Sequence, residues 1–162
     1  MDILFILDPF DSLKPKKETS IAMMRAAVAR GHRVFGCLQG DISLDQGKVT
    51  ARVTPLELTG ELSPWYKAGE VRTEPLSAFD AVLMRKDPPF DMEYVYSTYM
   101  LERAVEQGAR VYNNPAAIRD HNEKFSITAY PQLTTDVMVT RDPVRLLIQR
   151  SEERRVGKEC RS

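Results

Sequence analysis

The chain holds two cysteines and two histidines among 162 residues, too few cysteines for a disulfide framework, and none of the four at the spacing of a zinc site. Cys37 and Cys160 share no metal-ligand spacing, and His32 and His121 have no acidic or cysteine partner at such spacing. Cys37, inside an apolar run, reads as core rather than as a nucleophile. An excess of either charge is also missing: 23 basic residues balance 23 acidic ones, which removes any general drive toward nucleic acid or an anionic membrane. No apolar run approaches the roughly 18 residues of a membrane span. The start, with Asp2 and Asp8 around a short apolar stretch, lacks the basic opening of a secretory signal. The reading is a cytoplasmic protein that meets neither nucleic acid nor membrane. Internal repeats, low-complexity tracts and linkers are absent as well. What remains, 43% hydrophobic and 28% charged residues, is the composition of an ordinary globular domain, so function has to come from local sites.

Ile3-Leu4-Phe5-Ile6-Leu7 is a short continuous apolar run ended by Asp8-Pro9, the pattern of a strand buried on both faces. Thr19 or Ser20 then offers a helix N-cap, Ile21, Met24 and Val28 recur at helical spacing, and Gly31 closes the helix. His32 to Leu38 forms a second strand. Strand, helix, strand in this order predicts a βαβ unit with parallel pairing. Between 41 and 75 the pattern changes. Lys48 to Leu58 alternates polar and apolar residues after Asp45-Gln46-Gly47, predicting exposed antiparallel strands added to the main sheet, with Trp65 and Tyr66 either packing the sheet edge or lining an interface. The parallel pattern resumes with a strand over Ala81–Met84, a helix from about Asp91 to Gln107 closed by Gly108, and a strand over Arg110–Tyr112. A helix with Ile118 and Phe125 on its apolar side follows. Asp136–Val139 and Pro143–Ile148 predict one more strand entering a helix interrupted at Gln149. The predicted fold class is α/β, a Rossmann-like three-layer domain with a mostly parallel sheet and an antiparallel insert. Residues 150–162, RSEERRVGKECRS, lack apolar periodicity. They resemble the in-frame translation of a sequencing-library adapter and are set apart as a non-native tail, a natural solvated basic tail being the alternative.

Ligands of open parallel sheets bind beyond the carboxyl ends of the strands, which directs attention to Asp8, to Met84-Arg85-Lys86-Asp87-Pro88-Pro89-Phe90-Asp91 and to Asn113-Asn114-Pro115. Arg85 offers a planar fork of donors for a carboxylate or phosphate, Asp87 can orient or neutralise that fork, and Asp91 can cap the next helix. A structural ion pair between Arg85 and Asp87 is the plainer alternative. Lys16, Lys17, Thr19 and Ser20 precede the first helix, whose free amides can hold an anion; a solvated loop with a capping residue is equally consistent.

MRKDPPFD, followed by Asn122-Glu123-Lys124, resembles the bacterial glutathione synthetases of the ATP-grasp superfamily. The likeness extends through Asp8-Pro9, Lys16-Lys17, Ser20, Ala22-Met23, Tyr99, Leu101-Glu102-Arg103-Ala104, Asn114-Pro115, Arg119-Asp120 and Thr140-Arg141, and departs from the common family form at Glu18 and Thr19. The resemblance implies a pre-ATP-grasp substrate domain over 1–121 and the start of a truncated ATP-grasp region over 122–149. It implies an enzyme that ligates γ-glutamylcysteine to glycine with ATP and Mg2+, through an acyl phosphate. Lys124 matches the family lysine on the nucleotide phosphates, where an exposed helix lysine is the plainer reading. Arg85 matches a catalytic arginine at the substrate site, with Lys17, Ser20 and Asp87 as further substrate-binding residues. The second lysine, the glycine-rich loop and the magnesium ligands of the family follow Arg141 and are not matched here. Family members are commonly homotetramers. The remaining alternatives are the front domain of another ATP-grasp amino-acid or peptide ligase and a standalone α/β binding or oligomerisation module.

Overall fold

In the computed structural model, which describes residues 1–122 and 124–147, residues Met1–Asp120 form one unit and the chain from His121 onward another. The first unit is built on β1 (Asp2–Leu7), whose side chains alternate between two cores. Leu4 and Ile6 enter one and Phe5 and Leu7 the other, as the two-residue period of a strand buried on both faces requires. Helix α1 (Thr19–Val28) covers the Phe5 face with Ile21, Met24 and Ala27. Helix α2 (Met92–Glu106) covers the Leu4 face with Tyr94, Leu101 and Ala104. Helix, sheet and helix make three layers.

The sheet is mixed. Parallel pairing joins β2 (Arg33–Leu38) to β1, β1 to β7 (Ala81–Met84), and β7 to β8 (Val111–Tyr112). Antiparallel pairing then extends it from β2 to β4 (Lys48–Leu58), which also carries β3 (Ile42–Asp45), β5 (Tyr66–Ala68) and β6 (Arg72–Pro75). The α/β class holds, with the antiparallel strands as numerous as the parallel ones. They are not the exposed addition that alternation predicts. Val49, Ala51 and Val53 of β4 are buried in the α2-side core with Leu76 and Phe79, and the Gln107 side chain accepts a hydrogen bond from the Val49 N–H at 3.0 Å. One apolar face looked solvent-edged in the sequence because its cover lies 58 residues away. Trp65 packs inward: it is buried, and its indole N–H donates to the Phe10 carbonyl at 3.2 Å.

Local signals locate α1 well and its ends less well. Its N-cap is Glu18, whose carboxylate accepts the Ser20 N–H at 3.1 Å, rather than Thr19 or Ser20. Val28 is 43% exposed, since the last residue of the helix has no following turn to cover it. Gly31, at φ +77°, turns the chain out of the helix as a left-handed residue should. In α2 the Asp91 cap is as expected, its carboxylate accepting the Tyr94 N–H at 2.9 Å, and Gly108 at φ +94° closes the end. Ile118 and Phe125 do not share a helix. Helix α3 (Pro115–Asp120) ends before Phe125, which is 59% exposed in the second unit. Residues 136–140 form no strand, because no partner strand stands beside them among the described residues, and 143–147 are helical. Ile148, Gln149 and the adapter-like stretch 150–162 lie outside the described residues.

Candidate functional site

The chain runs from β1 through α1 to β2 on one side, and from β7 through α2 to β8 on the other. Adjacent strands whose connections leave in opposite directions open a crevice at their carboxyl ends. Here that point lies between β1 and β7, and their first loop residues meet there. Asp8 accepts the Asp87 N–H through Oδ2 at 2.8 Å and pairs with Lys86 Nζ through Oδ1 at 2.9 Å. Lys86 also donates to the Asp87 carbonyl at 2.8 Å. One carboxylate therefore ties down the whole turn after β7. The Asp8 and Lys86 side chains are 25% and 21% exposed, so water screens this pair only in part.

Arg85 continues the β7 ladder, its N–H donating to the Ile6 carbonyl at 2.9 Å. Its Nε donates to the Ser20 Oγ at 3.2 Å. Ser20 is fully buried in the first turn of α1 and thus braces the guanidinium from the neighbouring helix. No partner among the described residues takes the two terminal nitrogens of Arg85, which remain available to an anion in a fixed orientation. Asp87 does not orient this fork: no ion pair joins Arg85 to Asp87 among the described residues, and what Asp8 holds is the Asp87 backbone. The role that sequence spacing offered to Asp87 falls to Ser20. Leu83, two residues before Arg85, packs in the α1-side core, so the two-residue period of the strand turns Arg85 toward α1 and Ser20.

Two clefts flank the Asp8–Lys86 pair. One, of about 400 Å³, is lined by Asp8, Ser12, Lys14, Lys17, Glu18 and Asp87; its mixed charges suit a zwitterionic amino-acid head better than a simple anion. Lys17 and Asp87, both predicted as substrate residues, share this cleft. The other, of about 490 Å³, is more apolar and runs from Leu7, Leu38 and Lys86 to Tyr96 and Met100 of α2. Tyr94 was not singled out from the sequence, although it stands three residues after the Asp91 cap. Burial raises its phenol above the ordinary range; the Arg85 cation opposes this, while Asp87 and Asp8 reinforce it. The phenol keeps its proton and can donate. Of the other predicted places, Asn114 caps α3, its side chain accepting the Ala116 and Ala117 N–H groups at 2.9 and 3.2 Å. Lys124 belongs to the second unit, where its N–H donates to the Asn122 side chain at 3.0 Å and its own side chain is exposed.

Residues 1–119 match the family described as prokaryotic glutathione synthetase, N-terminal domain. The chain belongs to the prokaryotic glutathione synthetase family. The match takes in all eight strands, both clefts, Ser20 and Arg85, and stops short of Lys124. Among curated relatives, the glutathione synthetase of Ralstonia nicotianae is 53% identical over 146 residues, covering 90% of this chain and 45% of the relative. That of Bordetella pertussis is 52% identical over 151 residues, 90% of this chain and 48% of the relative, and that of Nitrosomonas europaea is 50% identical over 146 residues, 86% and 45%. The chain thus spans about half the length of the glutathione synthetases it matches.

Proposed function

We propose that this chain is the N-terminal substrate-binding domain of a cytoplasmic glutathione synthetase, an ATP-dependent ligase that joins γ-glutamylcysteine to glycine and works as a homo-oligomer. The carrying observation is the braced fork of Arg85 on Ser20 at the β1/β7 switch point, within the region matched to the family. In this reading the terminal nitrogens of Arg85 hold a carboxylate of the peptide substrate, and Arg85 steadies the negative charge that grows when that carboxylate is attacked. Lys17 and Asp87 hold the zwitterionic end of the peptide in the polar cleft. ATP supplies the activation of the carboxylate, and Lys124 is the residue of this chain that would reach its phosphates. No three His, Cys, Asp or Glu side chains converge among the described residues, and no step through magnesium is assigned to them. The domain runs over 1–121, residues 122–149 begin the ATP-grasp region, and 150–162 are non-native.

The test is steady-state kinetics on the full-length enzyme. A hydrogen bond to a charged group contributes about 1.5–3 kcal/mol. Arg85→Lys keeps the charge and loses the fork, and is expected to lower kcat/KM for γ-glutamylcysteine by about 30-fold with the KM for ATP unchanged. Ser20→Ala, which frees the fork without removing it, is expected to cost about 5-fold. Wild-type kinetics in Arg85→Lys would refute the assignment, and turnover by the 162-residue chain alone would refute its role as a substrate platform.

A further inference from the structure

The turn after β7 carries polar groups of the site, yet it has few bonds of its own. Arg85 still belongs to the sheet ladder through the Ile6 carbonyl. At the far end Asp91 caps α2, and the Phe90 ring rests against Tyr94 with 5.1 Å between ring centres. Between these anchors Pro88 and Pro89 have no N–H to offer. Over 86–90 the one backbone N–H with a partner among the described residues is that of Asp87, which donates to Oδ2 of Asp8 at 2.8 Å. The other carboxylate oxygen of Asp8 takes Lys86 Nζ at 2.9 Å, and that ammonium reaches on to the Asp87 carbonyl at 2.8 Å. Asp87 is therefore gripped at its N–H by Asp8 and at its carbonyl by the lysine that Asp8 holds.

The group that grips is well anchored. Asp8 directly follows the buried run Leu4–Leu7 of β1. Pro9 after it has a restricted φ, and its carbonyl accepts both the N–H and the hydroxyl of Ser12, at 2.8 and 2.6 Å. The group that is gripped is not committed to the protein. The Asp87 carboxylate has no hydrogen-bond or ion-pair partner among the described residues, and it lines the polar cleft with Lys14 and Lys17. Charges around this cleft balance once Lys86 is counted: Asp8, Glu18 and Asp87 stand against Lys14, Lys17 and Lys86. A neutral cleft attracts the ammonium of a zwitterion only where a carboxylate is held out for it. A carboxylate on an exposed turn does this well only if the turn is ordered before the ligand arrives, since ordering it during binding weakens the contact.

We propose that Asp8 is a positioning residue for the peptide substrate: it acts through Asp87, setting that carboxylate against the ammonium group of the glutamyl end. This rests on the reading of the polar cleft above and adds the residue that makes Asp87 effective. Steady-state kinetics on the full-length enzyme tests it as a double-mutant cycle, with circular dichroism confirming that each variant is folded. Asp87→Asn is expected to lower kcat/KM for γ-glutamylcysteine by about 10-fold, the lower end for a lost hydrogen bond to a charged group, since Asp87 is exposed. Asp8→Ala is expected to cost the same, with the KM for ATP unchanged. The double variant is expected to lose about 10-fold as well, not about 100-fold, because Asp8 then has nothing left to position. Asp8→Asn keeps an acceptor for the Asp87 N–H and gives up the Lys86 pair; about 3-fold is expected, and it serves the same cycle should Asp8→Ala fail to fold. Losses that multiply, or a rise in the KM for ATP beside them, would reduce Asp8 to a support of the fold and overturn the proposal, as would wild-type kinetics in Asp8→Ala. Wild-type kinetics in Asp87→Asn would remove the reading of the cleft and this proposal with it, and would leave the Arg85 fork to stand or fall by Arg85→Lys.

Discussion

Gly36, in the middle of β2, can be replaced by alanine without any backbone strain, yet the substitution is expected to disturb the packing of Phe10 against Trp65 and Tyr66. A Cβ built at this position lies 2.7 Å from the Phe10 Cζ, 2.9 Å from its Cε1 and 3.0 Å from the Leu56 Cδ1, distances at which something must move. Phe10 is not free to do so. Its ring meets Tyr66 edge-on at 5.6 Å, its carbonyl accepts the Trp65 indole N–H at 3.2 Å, and the neighbouring Asp11 accepts the Tyr66 hydroxyl at 3.0 Å. Overpacking a well-filled site costs about 1–3 kcal/mol, and the stiffer unfolded chain returns about 0.4–1 kcal/mol. The net loss is about 1.5 kcal/mol, or a fall of about 6 °C in Tm for a unit of this size. Trp65 is the one tryptophan in the sequence and is buried, so its emission reports on this contact alone and is expected to shift to longer wavelength. Gly40→Ala is the control. Nothing lies within 4 Å of its added Cβ, and its Tm is expected to hold or to rise slightly. A Gly36→Ala protein that melts no lower than Gly40→Ala, with unchanged Trp65 emission, would refute the packing argument.

Two further outcomes follow from the cores. Leu101 is fully buried where α2 meets the sheet, and Leu101→Ala is expected to destabilise the first unit by about 2–5 kcal/mol in urea denaturation; a loss under about 1 kcal/mol would mean that α2 is not anchored there. Burial, with Asp41 nearby, pushes the Cys37 thiol up from 9.0 to about 12. In a Cys160→Ser background the native protein is expected to resist thiol reagents at pH 8 and to react once unfolded. The folded pKa lies above the unfolded one, so the unfolded thiol ionises first. The stability from this group is therefore complete below about pH 9 and declines as pH rises toward 12, and rapid labelling of the native thiol would contradict its burial.

The elements that one stretch of chain specifies by itself were legible in the amino-acid order. The apolar run of β1, the Gly31 and Gly108 stops and the Asp91 cap each depend on neighbours within four or five residues, and each stands where periodicity and capping chemistry place it. The βαβ order likewise implied parallel pairing, and parallel pairing directed attention to Asp8 and Arg85. Features that depend on distant partners were misread or missed. Alternation in β4 marked an apolar face, but only folding brings α2 and Gln107 over it. The sequence neighbour Asp87 looked like the group that orients Arg85, yet the tertiary structure gives that task to Ser20, 65 residues away, and joins Asp8 to Lys86 across 78 positions of chain. Residues in contact across a crevice share no periodicity and no spacing, because what sets their distance is the packing of α1 and α2 on opposite faces of the sheet. The order of residues determined which strands and helices form and which loops carry the polar groups; the packing of those elements alone decided which of the polar groups meet.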